Sequence, residues 1–356
     1  MKSMTYAAGK PIIIPRDGRE LAAEWWGDPE GQPVLLMHGM PGSRLGPRPR
    51  GIVLERMGIR LISYDRPGYG LSSRHAGRTV ADAALDVEKI ADHLGLDEFA
   101  VVGRSGGGPH ALACAAHLRG RVQRAALLVS FAPPDATGLA WNAGMTAKNV
   151  QSFAETDRTA ATAPAGAPPM IAGIALQAAG LQEDPESLIK FLLPQLTESD
   201  RRFVEDRAMR NLLTATYAEA VLKGDGGWID DNIAMRSQWD FKFEDVFCPV
   251  LLWHGGDDRF SPVSHTRWLA EKLSSVRKGE PDQLKVAVQI DSGAAHFAAF
   301  EVFVDVLNWL AEPEPVPAPA NVRTAAAGRA PGGCESRSAE QPHSDAHGRS
   351  ALPACR

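Results

Sequence analysis

Short runs rich in Val, Ile and Leu recur through the first 130 residues and again after 247, and stretches with helical spacing stand between them. Continuous apolar runs of strand length are covered on both faces, and strands that alternate with helices are joined by crossovers. The pattern therefore requires an α/β chain with a mostly parallel sheet between layers of helix. Strands are expected near 11–14, 20–26, 33–38, 59–64, 98–103, 124–130, 248–254 and 284–290. Arg16-Asp17-Gly18-Arg19 between the first two is a hairpin turn sequence, so the sheet should open with an antiparallel pair. Crossover helices are expected at 80–94, 107–117, 263–273 and 297–310, the first with Ala83, Val87, Ile90 and Leu94 on one stripe.

From about 133 to 239 this rhythm stops. Helix-like pieces stand around 139–153, 170–180, 185–193, 198–210 and 211–222, and no convincing strand appears. More than 100 residues cannot be a plain loop in a compact domain. The segment reads as a helical cap inserted between two strands, with the Ala/Pro/Thr-rich part from 159 to 169 as a mobile connector. After Leu310 the composition changes: 312–356 holds seven prolines and almost nothing large and apolar, too little to offset ordering entropy, so a disordered tail is expected. The expected organisation is a catalytic α/β domain of 8–132 and 240–311, a cap of 133–239 and a tail of 312–356.

Composition excludes several partners. The chain is 44% apolar and 23% charged with a net charge of -5, so no excess of Lys and Arg exists to hold a phosphate backbone, and nucleic acid is not expected. Its apolar runs fall far short of the roughly 20 residues that span a bilayer, so no membrane partner is expected either. Arg16 and Asp17 arrive before any apolar core of a secretory signal, which leads to the expectation of a cytoplasmic protein. Cys114, Cys248, Cys334 and Cys355 are too few and scattered for a disulfide framework or zinc site, and the first two are expected as core thiols.

The densest chemical signal is Val101-Val102-Gly103-Arg104-Ser105-Gly106-Gly107-Gly108-Pro109, an apolar strand that runs into G-x-S-x-G and then a helix. A serine on such a strained turn is presented as a nucleophile, small residues on either side let strand and helix approach, and the helix N-terminus favours an oxyanion. A plain tight turn would explain the glycines alone. The dinucleotide pattern also fits Gly106 to Ala111, but it wants an acidic residue about 20 positions on, where Ser130-Phe131-Ala132 stands. A serine nucleophile needs a base oriented by a carboxylate. Asp258 follows the strand near 248–254 and His296 follows the strand near 284–290, both at the strand ends where open α/β sheets carry their sites. At another strand end, His38-Gly39-Met40-Pro41-Gly42 offers a second backbone donor. Met40 and Gly106 would then form the oxyanion hole. His38, His254, Asp258 and His296 lack metal-ligand spacing, so no metal and no cofactor are expected.

Taken with Asp17-Gly18-Arg19-Glu20-Leu21, Ser63-Tyr64-Asp65-Arg66-Pro67-Gly68-Tyr69-Gly70-Leu71-Ser72, Gly255-Gly256-Asp257-Asp258 with Pro262, and Ala295-His296-Phe297, the chain resembles the α/β-hydrolase fold superfamily over about 10–311. The likeness is to its capped branch of prolyl iminopeptidase-like, haloperoxidase-like and esterase-like members. It implies a mostly parallel eight-stranded sheet with helices on both faces and a Ser105, Asp258, His296 triad. The family pattern G-x-x-D-x-x-x-P selects Asp258 over Asp257, and Asp135 is the alternative acid if it follows the sixth strand. Asp65-Arg66-Pro67-Gly68 resembles a structural turn whose Asp–Arg pair braces the oxyanion loop. Ser105 disfavours the epoxide hydrolases and dehalogenases, which carry aspartate there. Arg104 is a departure: its charge could pair with a buried acid or meet an anionic substrate group, and the buried pairing is the expected one.

The reading is a cofactor-free serine hydrolase that cleaves an ester, thioester or amide of a small molecule through an acyl-enzyme. The alternatives are a ligand-binding protein of the same fold, or a lyase or cyclase using the same site. Trp141, Met145, Phe153, Met170, Trp228 and Trp239 in the cap are expected chiefly as packing. An iminopeptidase would need an acid for a free amino terminus, for which Glu155, Glu183, Asp184, Glu186, Glu198, Asp200, Glu205, Asp206 and Glu219 are available. Oligomeric state is not legible.

Overall fold

Asp17 and Gly18 both adopt positive φ, 49° and 74°, which closes a two-residue hairpin between β1 (Ile12–Arg16) and β2 (Arg19–Gly27). Such a turn matches the right-handed twist of its strands. The computed structural model describes residues 7–162, 169–280 and 283–312. The expected tail beyond Glu312 and most of the expected connector, 163–168, lie outside the described residues.

The sheet continues through β3 (Gln32–Met37), β4 (Ile59–Tyr64), β5 (Phe99–Arg104), β6 (Val122–Leu128), β7 (Val250–Gly255) and β8 (Val286–Asp291). Its order is β1-β2-β4-β3-β5-β6-β7-β8. β2 runs antiparallel to both neighbours and every later pairing is parallel. The eight-stranded, mostly parallel sheet expected from the apolar runs is thus present.

Alternate residues of the central strands feed two cores, as the two-residue period of a strand dictates. Leu35, Val101, Leu127 and Leu252 face α2 (Asp82–Leu94), α3 (Gly107–His117) and α10 (Val263–Ser275). Leu36, Val102, Leu128 and Leu251 face α1 (Gly51–Arg56) and α11 (Phe303–Ala311). α2 ends at Gly95, whose φ of 69° lets its N–H turn back to the carbonyls of Ala91 and Asp92.

Between β6 and β7 the described elements are all helical: α4 (Ala147–Thr162), α5 (Ala172–Glu183), α6 (Ser187–Leu192), α7 (Glu198–Glu205), α8 (Arg207–Ala220) and α9 (Gly226–Arg236). α4 starts later than the expected 139 and takes in residues assigned to the connector. The break between α7 and α8 falls at Asp206, which accepts hydrogen bonds from the N–H groups of Ala208 and Met209, both at 3.0 Å. α9 was not expected. The final expected helix divides into a 3₁₀ turn at Phe297–Phe300 and α11. Among the described residues no helix is long and apolar enough to cross a membrane. Cys114 and Cys248 are buried, as expected of core residues.

Candidate active site

Ser105 joins β5 to α3 with a φ of 54°, in the left-handed region that a side chain rarely adopts. The turn is held by Ser105 N–H donating to the carbonyl of Leu128 at 2.8 Å and by Gly108 N–H donating to the carbonyl of Ser105 at 2.9 Å. Glycine is needed around it because the backbones touch: a Cβ on Gly103 would lie 2.2 Å from the carbonyl oxygen of Gly107, and one on Gly107 would lie 2.2 Å from that of Met37. The serine is 8% exposed and opens into a cavity.

His296, after β8, lines the same cavity. Its Nδ1–H donates to Asp258 Oδ2 at 2.7 Å, an assignment required because an ionised carboxylate only accepts. Asp258 follows β7 and is fully enclosed. Its Oδ1 accepts from the N–H groups of Phe260 at 2.7 Å and Ser261 at 3.0 Å, and its Oδ2 also accepts from Ser261 Oγ at 3.1 Å. Burial alone would raise this carboxyl, but the His296 imidazole and hydrogen bonds from His254 and His296 outweigh burial and hold it well below the usual carboxylate range. Asp257 and Asp135 are exposed, so of the three candidate acids Asp258 is the one that meets His296.

The other two expected site residues lie against each other. A Cβ on Gly106 would fall 2.8 Å from Met40 Cβ and 3.6 Å from Met40 N, which puts the two backbone segments side by side at the N-terminus of α3. The Met40–Pro41 peptide is cis. His38 fixes this loop: its Nδ1–H donates to the carbonyl of Gly39 at 2.8 Å and its Nε2 accepts from Arg66 N–H at 3.2 Å. Burial, followed by the nearby Arg66 charge, keeps His38 neutral by lowering it well below the ordinary histidine value.

Two expectations about charges need correction. Asp65 and Arg66 do not pair with each other, since each is taken up by a different partner. Asp65 instead accepts from Arg44 N–H at 2.7 Å and Arg44 Nη1 at 2.6 Å. Arg66 does brace the loop that carries Met40, donating to the carbonyls of His38 at 2.5 Å and Gly39 at 3.1 Å. Its carboxylate partner is Asp231 of α9, at 2.5 Å. Asp231 also takes Arg78 at 2.6 Å and the Tyr69 hydroxyl at 2.9 Å. Burial would raise Asp231, yet Arg66 and Arg78 hold it well below the carboxylate range. Nor does Arg104 pair with a buried acid: among the described residues no carboxylate lies within 4.0 Å of it. Its guanidinium rests 3.9 Å from the ring centre of Phe300 and is pushed down to about 10 by burial.

The cavity encloses about 130 Å³ and opens beside a second of about 390 Å³, with Lys148, Ser152, Gln177, Leu188 and Phe191 shared between them. Of the weighed aromatics and methionines, Phe153 and Trp228 line the first cavity, whereas Trp141 and Trp239 are buried in packing and Met170 is exposed. Among the described residues no Asp or Glu lines it; Glu155 reaches only the neighbouring one. Sequence reasoning missed Asp231, and it named Asp200 of α7 only as an acid available for an ammonium group, whereas Asp200 accepts Phe297 N–H at 2.7 Å directly after His296. The one local signal was the acid pair Asp230-Asp231 in a segment without an apolar stripe. Among the described residues no group of three or more His, Cys, Asp and Glu is placed to hold a metal.

A family model described as the alpha/beta hydrolase fold matches residues 32–302. A non-heme haloperoxidase from Rhodococcus erythropolis is 35% identical over 126 residues, which cover 35% of this chain and 45% of that protein. A proline iminopeptidase from Xanthomonas citri is 36% identical over 103 residues, 28% of this chain and 33% of that one. The chain thus spans less than half the length of these curated relatives. Among solved structures, the enol-lactonase from Burkholderia xenovorans LB400 superposes with a TM-score of 0.59 at 18% identity, covering 85% of this chain and 100% of the other. A thermophilic esterase from Thermogutta terrifontis superposes with a TM-score of 0.58 at 23% identity, covering 85% and 98%.

Proposed function

The chain belongs to the α/β-hydrolase fold family, and from that premise we propose that it is a serine hydrolase acting on a small ester or thioester, with the helices between β6 and β7 as its cap. The observation that carries the reading is the 2.7 Å hydrogen bond from His296 to Asp258 beside a cavity that also receives the strained Ser105.

In this mechanism Ser105 Oγ attacks the acyl carbon while His296 Nε2 takes its proton. Asp258 holds the Nδ1–H and balances the imidazolium that forms. The N–H groups of Gly106 and Met40 stabilise the oxyanion, a contribution worth on the order of 10²–10³ in rate for one donor. His296 then returns the proton to the leaving oxygen or sulfur, and water repeats the sequence on the acyl-enzyme. An amino-terminal peptidase is a poorer fit, because none of the carboxylates available for an ammonium group lines the cavity.

The test is Ser105→Ala. Hydrolysis of a short p-nitrophenyl ester should fall by about 10⁶ and fluorophosphonate labelling should vanish. Labelling that persists in the folded variant overturns the assignment of the nucleophile.

A further inference from the structure

Arg104 stands immediately before the proposed nucleophile and has no task in the acyl transfer just described. Its guanidinium lies against the rings of Phe300 and Phe297, with centres at 3.9 and 5.8 Å, and approaches Gly39 closely enough that a Cβ there would sit 3.2 Å from Nη2. Nη1 is enclosed and has no hydrogen-bond acceptor among the described residues. The buried arginines nearby are matched: Arg44 by Glu24, Asp65 and Glu219, and both Arg66 and Arg78 by Asp231. The groups whose fields reach Arg104 are Tyr217, Asp258 and Asp200; Asp258 is held by His296, Asp200 accepts the N–H of Phe297 through one oxygen while its Oδ2 is enclosed without a partner, and neither carboxylate pairs with Arg104.

A cation buried without a partner is costly, so the groups that face it matter. Arg104 is part of the cavity wall beside Ser105 and His296, and with Gly39, Tyr217 and Phe300 it also lines a smaller cavity of about 20 Å³. Lys148 supplies a second positive charge on that wall, and among the described residues no carboxylate lines this cavity, Glu155 lining only the neighbouring one that shares Lys148. Such a chamber attracts anions and excludes amines. With Nη1 enclosed, Nη2 and Nε are the N–H groups of Arg104 left to meet a carboxylate, and a bidentate pair of that kind is short and strong.

We propose that Arg104 binds a free carboxylate on the substrate, so that the preferred substrates are half-esters, or the corresponding thioesters, of short dicarboxylic acids. The assignment rests on the acyl-transfer reading above and names its substrate class. The carboxylate is not consumed: the bond formed is Ser105 Oγ to the ester carbon, the bond broken is that carbon to the leaving oxygen or sulfur, and the proton passes through His296.

The test compares p-nitrophenyl hydrogen adipate with p-nitrophenyl hexanoate, esters of equal acyl length that differ in a terminal carboxylate, on the wild-type protein, Arg104→Met and Arg104→Lys. The readout is the ratio of kcat/KM for the two esters within each variant, so a general loss of activity cancels. The wild type should favour the anionic ester at least tenfold, Arg104→Met should lower the ratio by about 100-fold, and Arg104→Lys should recover part of it. Adipate itself should raise the melting temperature of the wild type and of Ser105→Ala but not of Arg104→Met. A wild-type ratio at or below one, or an equal ratio in Arg104→Met, overturns the proposal while hydrolysis of the hexanoate leaves the serine hydrolase standing. If neither ester turns over and Ser105 is not labelled, the enzymatic reading fails instead, and the adipate melting shift still decides the anion site.

Discussion

Asp231→Asn tests how the loop carrying Met40 is held. The carboxylate receives Arg66 through Nη2 at 2.5 Å and Nε at 3.2 Å, Arg78 at 2.6 Å and Tyr69 at 2.9 Å, all in the protein interior. An asparagine there keeps the size, removes the charge and turns an N–H pair toward guanidiniums that have only donors to offer. Removing one partner of a buried ion pair costs about 3–5 kcal/mol, and two cations lose theirs at once, which favours the upper end of that range. At about 2–4 °C per kcal/mol for a chain of this size, the melting temperature should fall by roughly 10–20 °C. His110, 3.7 Å from the carboxylate, cannot compensate, because burial and the Arg66 charge push it down to about 3 and leave it neutral.

The same change should reach the chemistry. Arg66 donates to the carbonyls of His38 and Gly39, the two residues before Met40, so a displaced Arg66 loosens the N–H proposed as one oxyanion donor. A fall in kcat of about tenfold is expected at a temperature where the variant is folded, less than the 10²–10³ for outright loss of a donor. The pH dependence has a definite sign. Asp231 is depressed in the folded state, so its contribution is complete above about pH 4, near the unfolded value, and is lost as pH falls toward the lower native one. The stability gap between wild type and variant should therefore stay constant from about pH 5 to 8 and narrow below about pH 4. Thermal unfolding across that range is the assay. A melting change under about 3 °C with unaltered kcat refutes the argument.

Two further predictions concern the site and its scaffold. Asp258→Asn should lower kcat by about 10⁴, about 5.5 kcal/mol in barrier, with KM little changed, since the His296 tautomer is lost but the cavity is kept; a loss under tenfold would move the acid's role elsewhere. Gly107→Ala should cost about 3 kcal/mol or more in urea unfolding, because its Cβ would meet the Met37 carbonyl, whereas Gly51→Ala, with nothing within 4 Å, should be neutral or stabilising by up to about 1 kcal/mol. Equal effects at the two glycines would contradict the close approach of β3 and α3.

What the sequence could tell and what it withheld divide along a physical line. Ser105 was legible because a strand, a turn and a helix are local patterns, and Asp258 and His296 because each follows its own apolar strand by a few residues. The sheet order then brings those strand ends together without further information from the intervening chain. Asp231 was illegible on both counts. Its partner Arg66 is 165 positions away, so no local spacing marks the pair. Its helix conceals itself: Trp228, Ile229, Asp230, Asp231, Asn232, Ala234 and Met235 of α9 are all buried, so the buried residues go round the helix instead of forming a stripe. The same holds for the neighbouring attachments, Thr216 to Ser43 at 3.0 Å, Glu219 to Arg44 at 2.5 Å and Asp230 to Arg74 at 2.8 Å. These polar ties all run from α8 and α9 to the loops that follow β3 and β4. Apolar burial is non-directional and shows in sequence as periodicity, whereas a buried ion pair is specified by one residue at each end. Hence the reading from sequence found the layers and the residues that gather at the candidate site, but not the pairs that tie α8 and α9 to the loops after β3 and β4.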